Sequence, residues 1–184
     1  MRLWRIVQGV NLQSNDFELF GLAQKFAQDR AAIDARWKEL QREAHPDKFA
    51  AQSAAAQRLA MQWSVRINEA YQRIKDPLKR AAYLCELHGV PVNAENNTAM
   101  PGEFLVQQMQ WRESLEEASS PEDIDKIGAL LSSNKQSTLQ KCEHMIDLEH
   151  DFQSAVGQVR ALMFMTRFEE DVESRLEQLE SRAN

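Results

Sequence analysis

The sequence predicts an all-α protein in which an N-terminal helical hairpin is joined to a C-terminal three-helix bundle. Only 6 Gly and 5 Pro occur among 184 residues, so few positions interrupt helices. Hydrophobic residues make up 43% of the chain and charged residues 27%, which suffices for a packed core. Apolar residues recur every three or four positions, as amphipathic helices require. Sandwiches, barrels and glycine-rich nucleotide folds are therefore disfavoured.

The first half of the chain predicts a short helix over residues 16–20, which ends at Gly21, and then a hairpin of two longer helices. The hairpin helices cover residues 30–44 and 53–75, and a last short helix covers 77–88. Antiparallel pairing would bring the apolar stripes of the two hairpin helices face to face. The stripes consist of Ile33, Trp37, Leu40 and Ala44, and of Ala60, Trp63, Ile67, Ala70 and Ile74.

A cluster of turn residues with two prolines predicts a linker over residues 90–101. Three further helices are expected after it, over residues 102–118, 121–147 and 150–182, and they suit a bundle. In the last helix, a stripe at helical spacing is expected to face the core. That stripe comprises Phe152, Val156, Val159, Met163, Thr166, Val172, Leu176 and Leu179.

Charge divides the chain into a basic half and an acidic half. Residues 1–90 contain 14 Lys and Arg against 10 Asp and Glu, a net charge of +4, whereas residues 91–184 contain 8 against 18, a net charge of −10. The front half can meet an acidic protein or a nucleic acid, and the back half would repel phosphate backbones.

Cysteine usage and hydropathy predict a cytoplasmic protein. The two cysteines, Cys85 and Cys142, cannot form a disulfide framework or a four-thiolate zinc site, so a reducing cytosol is the simplest compartment. No apolar run approaches the roughly 20 residues that span a bilayer. The first residues lack the continuous apolar segment of a signal peptide.

A proline turn separates the two hairpin helices, and its sequence is His45-Pro46-Asp47-Lys48. Proline disfavours helical geometry in the residue before it and has no N–H to donate, so the chain must leave the helix and turn. Lys38, Arg42 and His45 share the helix side opposite the apolar stripe, so a cationic strip leads to this tip. The strip suits an acidic protein groove, and an ordinary helix-breaking turn beside a solvated face fits the same pattern.

The order of motifs in residues 16–88 resembles the J-domain of DnaJ-type co-chaperones. The motifs are a basic helix ending in His45-Pro46-Asp47-Lys48-Phe49, then Ile67-Asn68-Glu69-Ala70-Tyr71, then Asp76-Pro77 and Lys79-Arg80. Further along, the segment from Arg80 to Gly89 and the acidic three-helix tail are similar to the HscB family, the J-proteins of iron–sulfur cluster assembly.

This resemblance implies a J-domain over residues 15–89, a linker over 90–101 and a client-binding three-helix domain over 102–184. It also implies that the tip engages an HscA-type heat-shock ATPase and triggers its ATP hydrolysis. The residues matched to this role are His45, Pro46, Asp47, Lys38, Arg42 and Lys48.

The helix over residues 102–118 shows a second apolar face, distinct from the Phe104 and Trp111 face that should meet the bundle. Phe164 and Phe168 lie outside the expected core stripe of the last helix and extend this second face. Such a surface marks a protein-binding site or a helix buried on two sides. The resemblance implies that it binds an IscU-type scaffold through Leu105, Val106, Met109, Glu113, Glu117 and Phe164.

No catalytic, cofactor or metal site is expected. The sequence has no phosphate-cradling glycine loop and no nucleophile elbow, and the potential ligands from Cys142 to His150 would point in divergent directions on a helix. Two alternatives stay open: a J-domain co-chaperone for other clients, and a helical nucleic-acid-binding module. The acidic back half argues against the second, so the expected partners are the ATPase and the scaffold, with no nucleic acid and no membrane.

Overall fold

The computed structural model describes residues 10–93, 100 and 102–183, and over these residues the chain forms helices and turns without a strand. The predicted all-α class is confirmed. Residues 1–9 and most of the predicted linker lie outside the described part. The chain folds as two compact units, Met1–Tyr83 and Leu84–Asn184. Among the described helices, none has the length and apolar character that crossing a membrane requires.

The first half of the chain begins with α1, whose ends are both fixed by local hydrogen bonds. Asn15 and Glu18 form a capping box at its start, and Gly21 ends it with a φ of 64°, a left-handed conformation that glycine adopts without a steric penalty. Three further helices follow it along the chain. The bounds are Asp16–Phe20 for α1, Arg30–Ala44 for α2, Ala54–Lys75 for α3 and Pro77–Leu87 for α4.

Helices α2 and α3 form the predicted hairpin. Their starts lie within one residue of the predicted ones, because Asp29 and Ser53 accept hydrogen bonds from amides of the first turn. Of the predicted stripes, only Trp37 is not buried, and its ring instead stacks on Tyr71 with centroids 4.6 Å apart. The buried stripe residues are Ile33, Leu40, Ala44, Ala60, Trp63, Ile67, Ala70 and Ile74.

A buried carboxylate ties α1 to α3. The side chain of Asp16 is fully buried, and its oxygens lie 2.6 Å from Arg66 Nη2 and 2.9 Å from Arg73 Nη1. The backbone N–H of Asp16 donates to the Tyr83 hydroxyl at 3.1 Å. Because a buried charge needs compensation, the two arginines make this acidic residue compatible with the core.

The second unit contains the three predicted C-terminal helices, with one difference at the corner between the last two. The middle helix is predicted to run to residue 147, but it ends at Glu143 and continues as a π-helical turn, His144–Glu149. His150 then adopts a left-handed φ of 54°, which reverses the chain. The bounds are Gly102–Glu117 for α5, Pro121–Glu143 for α6 and Phe152–Ala183 for α7.

The buried face of α7 differs most clearly from the predicted stripe at two positions. Phe168, predicted to lie outside the core, is 2% exposed and stacks on Trp111 of α5. Met163, predicted to lie inside, is exposed. The predicted stripe follows one line of residues, whereas α7 packs against both α5 and α6 and therefore buries a wider arc. Its buried residues are Ala155, Val156, Val159, Ala161, Leu162, Met165, Phe168 and Val172.

Candidate protein-binding sites

The tip of the hairpin is an exposed turn held in place by one buried side chain. Helix α2 ends at Ala44, and Pro46–Phe49 forms a single 3₁₀ turn before α3. Phe49 is 3% exposed, so it anchors the end of this turn in the core of the first unit. The preceding side chains point outward as a result, with His45 55% exposed and Asp47 90% exposed.

Hydrogen bonds within the tip orient the imidazole. The backbone N–H of Asp47 donates to Nδ1 of His45 at 3.3 Å, and the Lys48 N–H donates to the His45 carbonyl at 3.0 Å. An Nδ1 that accepts a hydrogen bond leaves the proton of a neutral imidazole on Nε2. The tip therefore presents an N–H donor and a carboxylate to a partner, and both groups reach solvent.

The cationic strip beside the tip lies at the surface, as the helical spacing predicts. Lys38 and Arg42 on α2 and Lys48 in the turn are exposed, and Pro46 is half-buried. The structure thus brings the six residues matched to chaperone binding together over one end and one side of the hairpin. Exposed charges of this kind steer an encounter with an oppositely charged surface.

A polar contact between α2 and α3 is not evident from the sequence pattern. The Trp37 indole N–H donates to Oδ1 of Asn68 at 3.0 Å, and Nε2 of Gln41 donates to the same oxygen. Next to it, the Tyr71 hydroxyl donates to Asp34 at 2.8 Å, and that hydrogen bond lowers the pKa of Asp34 and raises the pKa of Tyr71. Asn68 and Tyr71 belong to the motif that carries the family resemblance. That motif is the sequence feature that could have pointed to this contact.

The outer face of α5 carries an apolar patch. Leu105 is 39% exposed, Val106 58% and Met109 73%, although Phe104 and Trp111 on the inner face are buried. The two faces are separate, so these three side chains are not part of the core. The alternative of a helix buried on two sides is therefore excluded for α5.

Phe164 joins this patch from α7. Its ring is half-buried and meets the Phe104 ring edge-on at 5.7 Å, and it stacks on Phe168 at 5.9 Å. The guanidinium of Arg112 lies 5.5 Å from the Phe164 ring centroid, a cation–π contact that covers one side of the ring. The position of Arg112 in the sequence does not reveal this contact, because only the packing of α5 on α7 brings it to Phe164.

Exposed glutamates continue the patch toward the end of α5. Val106, Glu113 and Glu117 follow one another at spacings of seven and four residues, so they lie along one side of the helix. Both glutamates are exposed. The arrangement combines apolar area with a negatively charged border, a composition that suits a partner with an apolar segment flanked by basic residues.

The potential metal ligands near the α6–α7 corner do not converge. Cys142 is fully buried, whereas His144 pairs with Glu149 at 3.3 Å and His150 contacts the Ile146 carbonyl at 3.1 Å. Within the described part of the chain, no group of three metal-ligating side chains is close enough to hold an ion. This corner gives no indication of a metal centre.

Comparisons with known proteins identify the family. Residues 100–173 match the family described as HSCB C-terminal oligomerisation domain. The co-chaperone protein HscB homolog of Burkholderia multivorans is 46% identical over 175 residues, which cover 94% of this chain and 99% of that protein. The homolog of Burkholderia pseudomallei strain K96243 is 45% identical over 174 residues, which cover 93% and 99%.

Two solved structures have the same fold. Chaperone HscB from Vibrio cholerae superposes with a TM-score of 0.83 at 34% identity, over 90% of this chain and 99% of that one. Human co-chaperone protein HscB superposes with a TM-score of 0.85 at 25% identity, over 91% and 85%. The chain therefore belongs to the HscB family of co-chaperones.

Proposed function

We propose that this co-chaperone of iron–sulfur cluster assembly stimulates the ATPase of an HscA-type heat-shock chaperone and delivers an IscU-type scaffold to it. The observation that carries the proposal is that each unit exposes a group of side chains that do not contribute to its own core. The first unit displays the imidazole and carboxylate of the tip, and the second displays the apolar and acidic face of α5.

The tip acts by binding and contributes no reacting group. The imidazole and the carboxylate of the tip are both exposed, and their effect on ATP hydrolysis comes from binding one conformation of the ATPase more tightly than another. Lys38, Arg42 and Lys48 raise the rate of encounter with an acidic groove of the chaperone. The J-domain of this proposal covers residues 15–89.

The patch binds the scaffold through desolvation of apolar side chains. Leu105, Val106, Met109 and Phe164 supply the apolar contact, and the two glutamates at the end of α5 select a basic border on the scaffold. Holding both partners raises the effective concentration of scaffold at the chaperone. The client-binding domain of this proposal covers residues 102–184. We place the function in the cytoplasm, because unpaired thiols such as Cys85 and Cys142 persist there.

The tip is tested by single-turnover ATP hydrolysis on the purified HscA-type chaperone. We expect His45→Gln to reduce the stimulation at least about 10-fold, because a lost charge-assisted contact at a binding centre has an effect of this size. His144→Gln replaces an exposed histidine of the second unit and is the matched control, which should stimulate like wild type. Equal stimulation by His45→Gln and wild type would remove the tip from the mechanism.

The patch is tested by titration of the purified IscU-type scaffold. The variant Leu105→Ala/Met109→Ala/Phe164→Ala should bind at least about 10-fold more weakly, since each truncation removes buried area from the complex. Leu130→Ala/Leu148→Ala removes exposed leucines elsewhere in the second unit and should bind normally. Retained scaffold binding by the triple variant would contradict the assignment of the patch, whereas absence of scaffold binding by wild type, with retained ATPase stimulation, would favour a J-domain co-chaperone for other clients.

A further inference from the structure

We propose that Asn68 is a positioning residue that sets the direction in which the cationic strip faces the ATPase. This inference rests on the proposed function of the tip. Asn68 lies on α3 and is not part of the tip or the strip, and its side-chain oxygen accepts hydrogen bonds from both Trp37 and Gln41 of α2. One amide of α3 therefore joins two consecutive turns of α2.

The apolar core sets which face of α2 meets α3, and polar contacts at the edge of that face refine the rotation of α2 about its own axis. Ile33, Leu40 and Ala44 are fully buried, but an individual apolar contact has no angular preference of its own. Hydrogen bonds depend on angle and distance. The bonds to Asn68 therefore supply a directional constraint on α2.

The constraint is reinforced by neighbouring contacts along the same side of the hairpin. The Gln41 amide also donates to the Ser64 carbonyl at 3.5 Å, and the Ser64 hydroxyl donates to Gln41 at 3.3 Å. Trp37 stacks on Tyr71 with an interplanar angle of 16°. The resulting polar clamp, defined as Trp37, Gln41, Ser64, Asn68 and Tyr71, joins residues of α2 to residues of α3 over two helical turns.

The clamp determines where the cations point because of their place in the sequence. Lys38 directly follows Trp37, and Arg42 directly follows Gln41, so each cation is about 100° further around the helix than a clamped residue. A rotation of α2 would turn both cations by the same angle. It would also change how the strip aligns with His45, which lies one helical turn beyond Gln41.

The experiment measures single-turnover ATP hydrolysis by the purified HscA-type chaperone over a range of co-chaperone and salt concentrations. We expect Asn68→Leu to raise the half-saturating concentration about 5-fold, because misaligned charges guide the encounter less well. The maximal stimulated rate should be retained, since the residues of the tip are unchanged and Phe49 still anchors its turn in the core. The salt dependence of half-saturation should become weaker. The indole N–H resonance of Trp37 should shift in the NMR spectrum of the free protein.

Two further variants are compared with Asn68→Leu, and a third replaces it if it is unstable. Gln72→Leu changes an exposed polar residue of α3 and should leave all four readouts at wild-type values. Asn68→Asp keeps an oxygen acceptor and should restore the half-saturating concentration to within about 2-fold of wild type, because a carboxylate accepts both hydrogen bonds. If Asn68→Leu is too unstable to assay, Trp37→Phe removes one donor while keeping an aromatic ring, and the same rise in half-saturation is expected.

The outcomes separate this inference from the function on which it rests. Wild-type half-saturation and salt dependence in Asn68→Leu and Trp37→Phe, alongside loss of stimulation in His45→Gln, would overturn the positioning role alone. A loss of maximal rate without a change in half-saturation would also overturn it. Wild-type stimulation by His45→Gln would overturn the proposed function of the tip.

Discussion

The tip of the hairpin and the outer face of α5 expose their side chains by different means. At the tip, a proline ends a helix and Phe49 anchors the following turn, so the backbone itself carries His45 and Asp47 away from the core. On α5 the backbone is regular helix throughout, and Met109 is exposed because no described helix covers that side. The first kind of exposure is built into a short stretch of sequence, and the second depends on how the bundle packs.

Because their exposure has different origins, the two sites should respond differently to changes in the surrounding fold. A change beneath α5 that alters its packing alters the patch directly. A change in the hairpin affects the tip only if it moves α2 or α3. The free energy of unfolding of paired variants can establish whether the residues that stabilise each unit are distinct from the residues that it exposes for binding.

We expect the strongest destabilisation in the first unit. Arg66→Met/Arg73→Met leaves the buried carboxylate of Asp16 without its two cations, and we expect the free energy of unfolding of this unit to fall by about 3–5 kcal/mol. The measurement is urea denaturation followed by circular dichroism. Asp171→Asn, at an exposed position of α7, should change it by less than about 0.5 kcal/mol. A similar small change in both variants would show that the buried ion pairs do not hold α1 in place.

The second prediction contrasts core and patch within the second unit. Phe168→Ala should lower the free energy of unfolding by about 3–4 kcal/mol, because truncation of a buried aromatic side chain leaves a cavity. Met109→Ala should lower it by less than about 0.5 kcal/mol, because that side chain is mostly in solvent. Denaturation measures both values. Comparable losses would mean that Met109 supports the bundle, and its assignment to a binding patch would be wrong.

The smallest expected effect concerns pH. Burial raises the pKa of Cys85 to about 11 and the pKa of Cys142 to about 12, whereas an unfolded cysteine has a pKa of about 8.5. Above that value the unfolded state binds fewer protons than the folded state, so the free energy of unfolding falls as pH rises. Over the first pH unit above about 8.5, we expect the two thiols together to remove about 2 kcal/mol of stability.

The control for this pH effect removes both thiols. Cys85→Ala/Cys142→Ala should lose stability less steeply over the same pH interval, and the difference between its slope and that of wild type isolates the cysteines from other titrating groups. Native protein should also resist a thiol reagent at a pH of about 8, because both side chains are fully buried. Identical slopes in the variant and wild type would contradict the raised pKa values.

Much of the fold was predictable because its signals are local. The helix period, the caps Asp29 and Ser53 and the turn at Pro46 each act within a few residues, and the structure confirms the bounds they predict for α2 and α3 to within one residue. The π-helical turn at His144–Glu149 was not predictable in this way, because its hydrogen bonds follow from the reversal of the chain at the α6–α7 corner and not from helical spacing.

The all-α class, the hairpin and the position of the exposed tip follow from the amino-acid sequence alone, since helix formation and a proline turn depend on neighbouring residues. The packing of the helices was needed to show that Phe168 belongs to the core, that Phe164 meets Arg112, and that Asn68 joins two turns of α2. These contacts connect residues far apart in the chain. Burial and side-chain partners also depend on which helices are adjacent, and helical periodicity does not specify the neighbours of a helix.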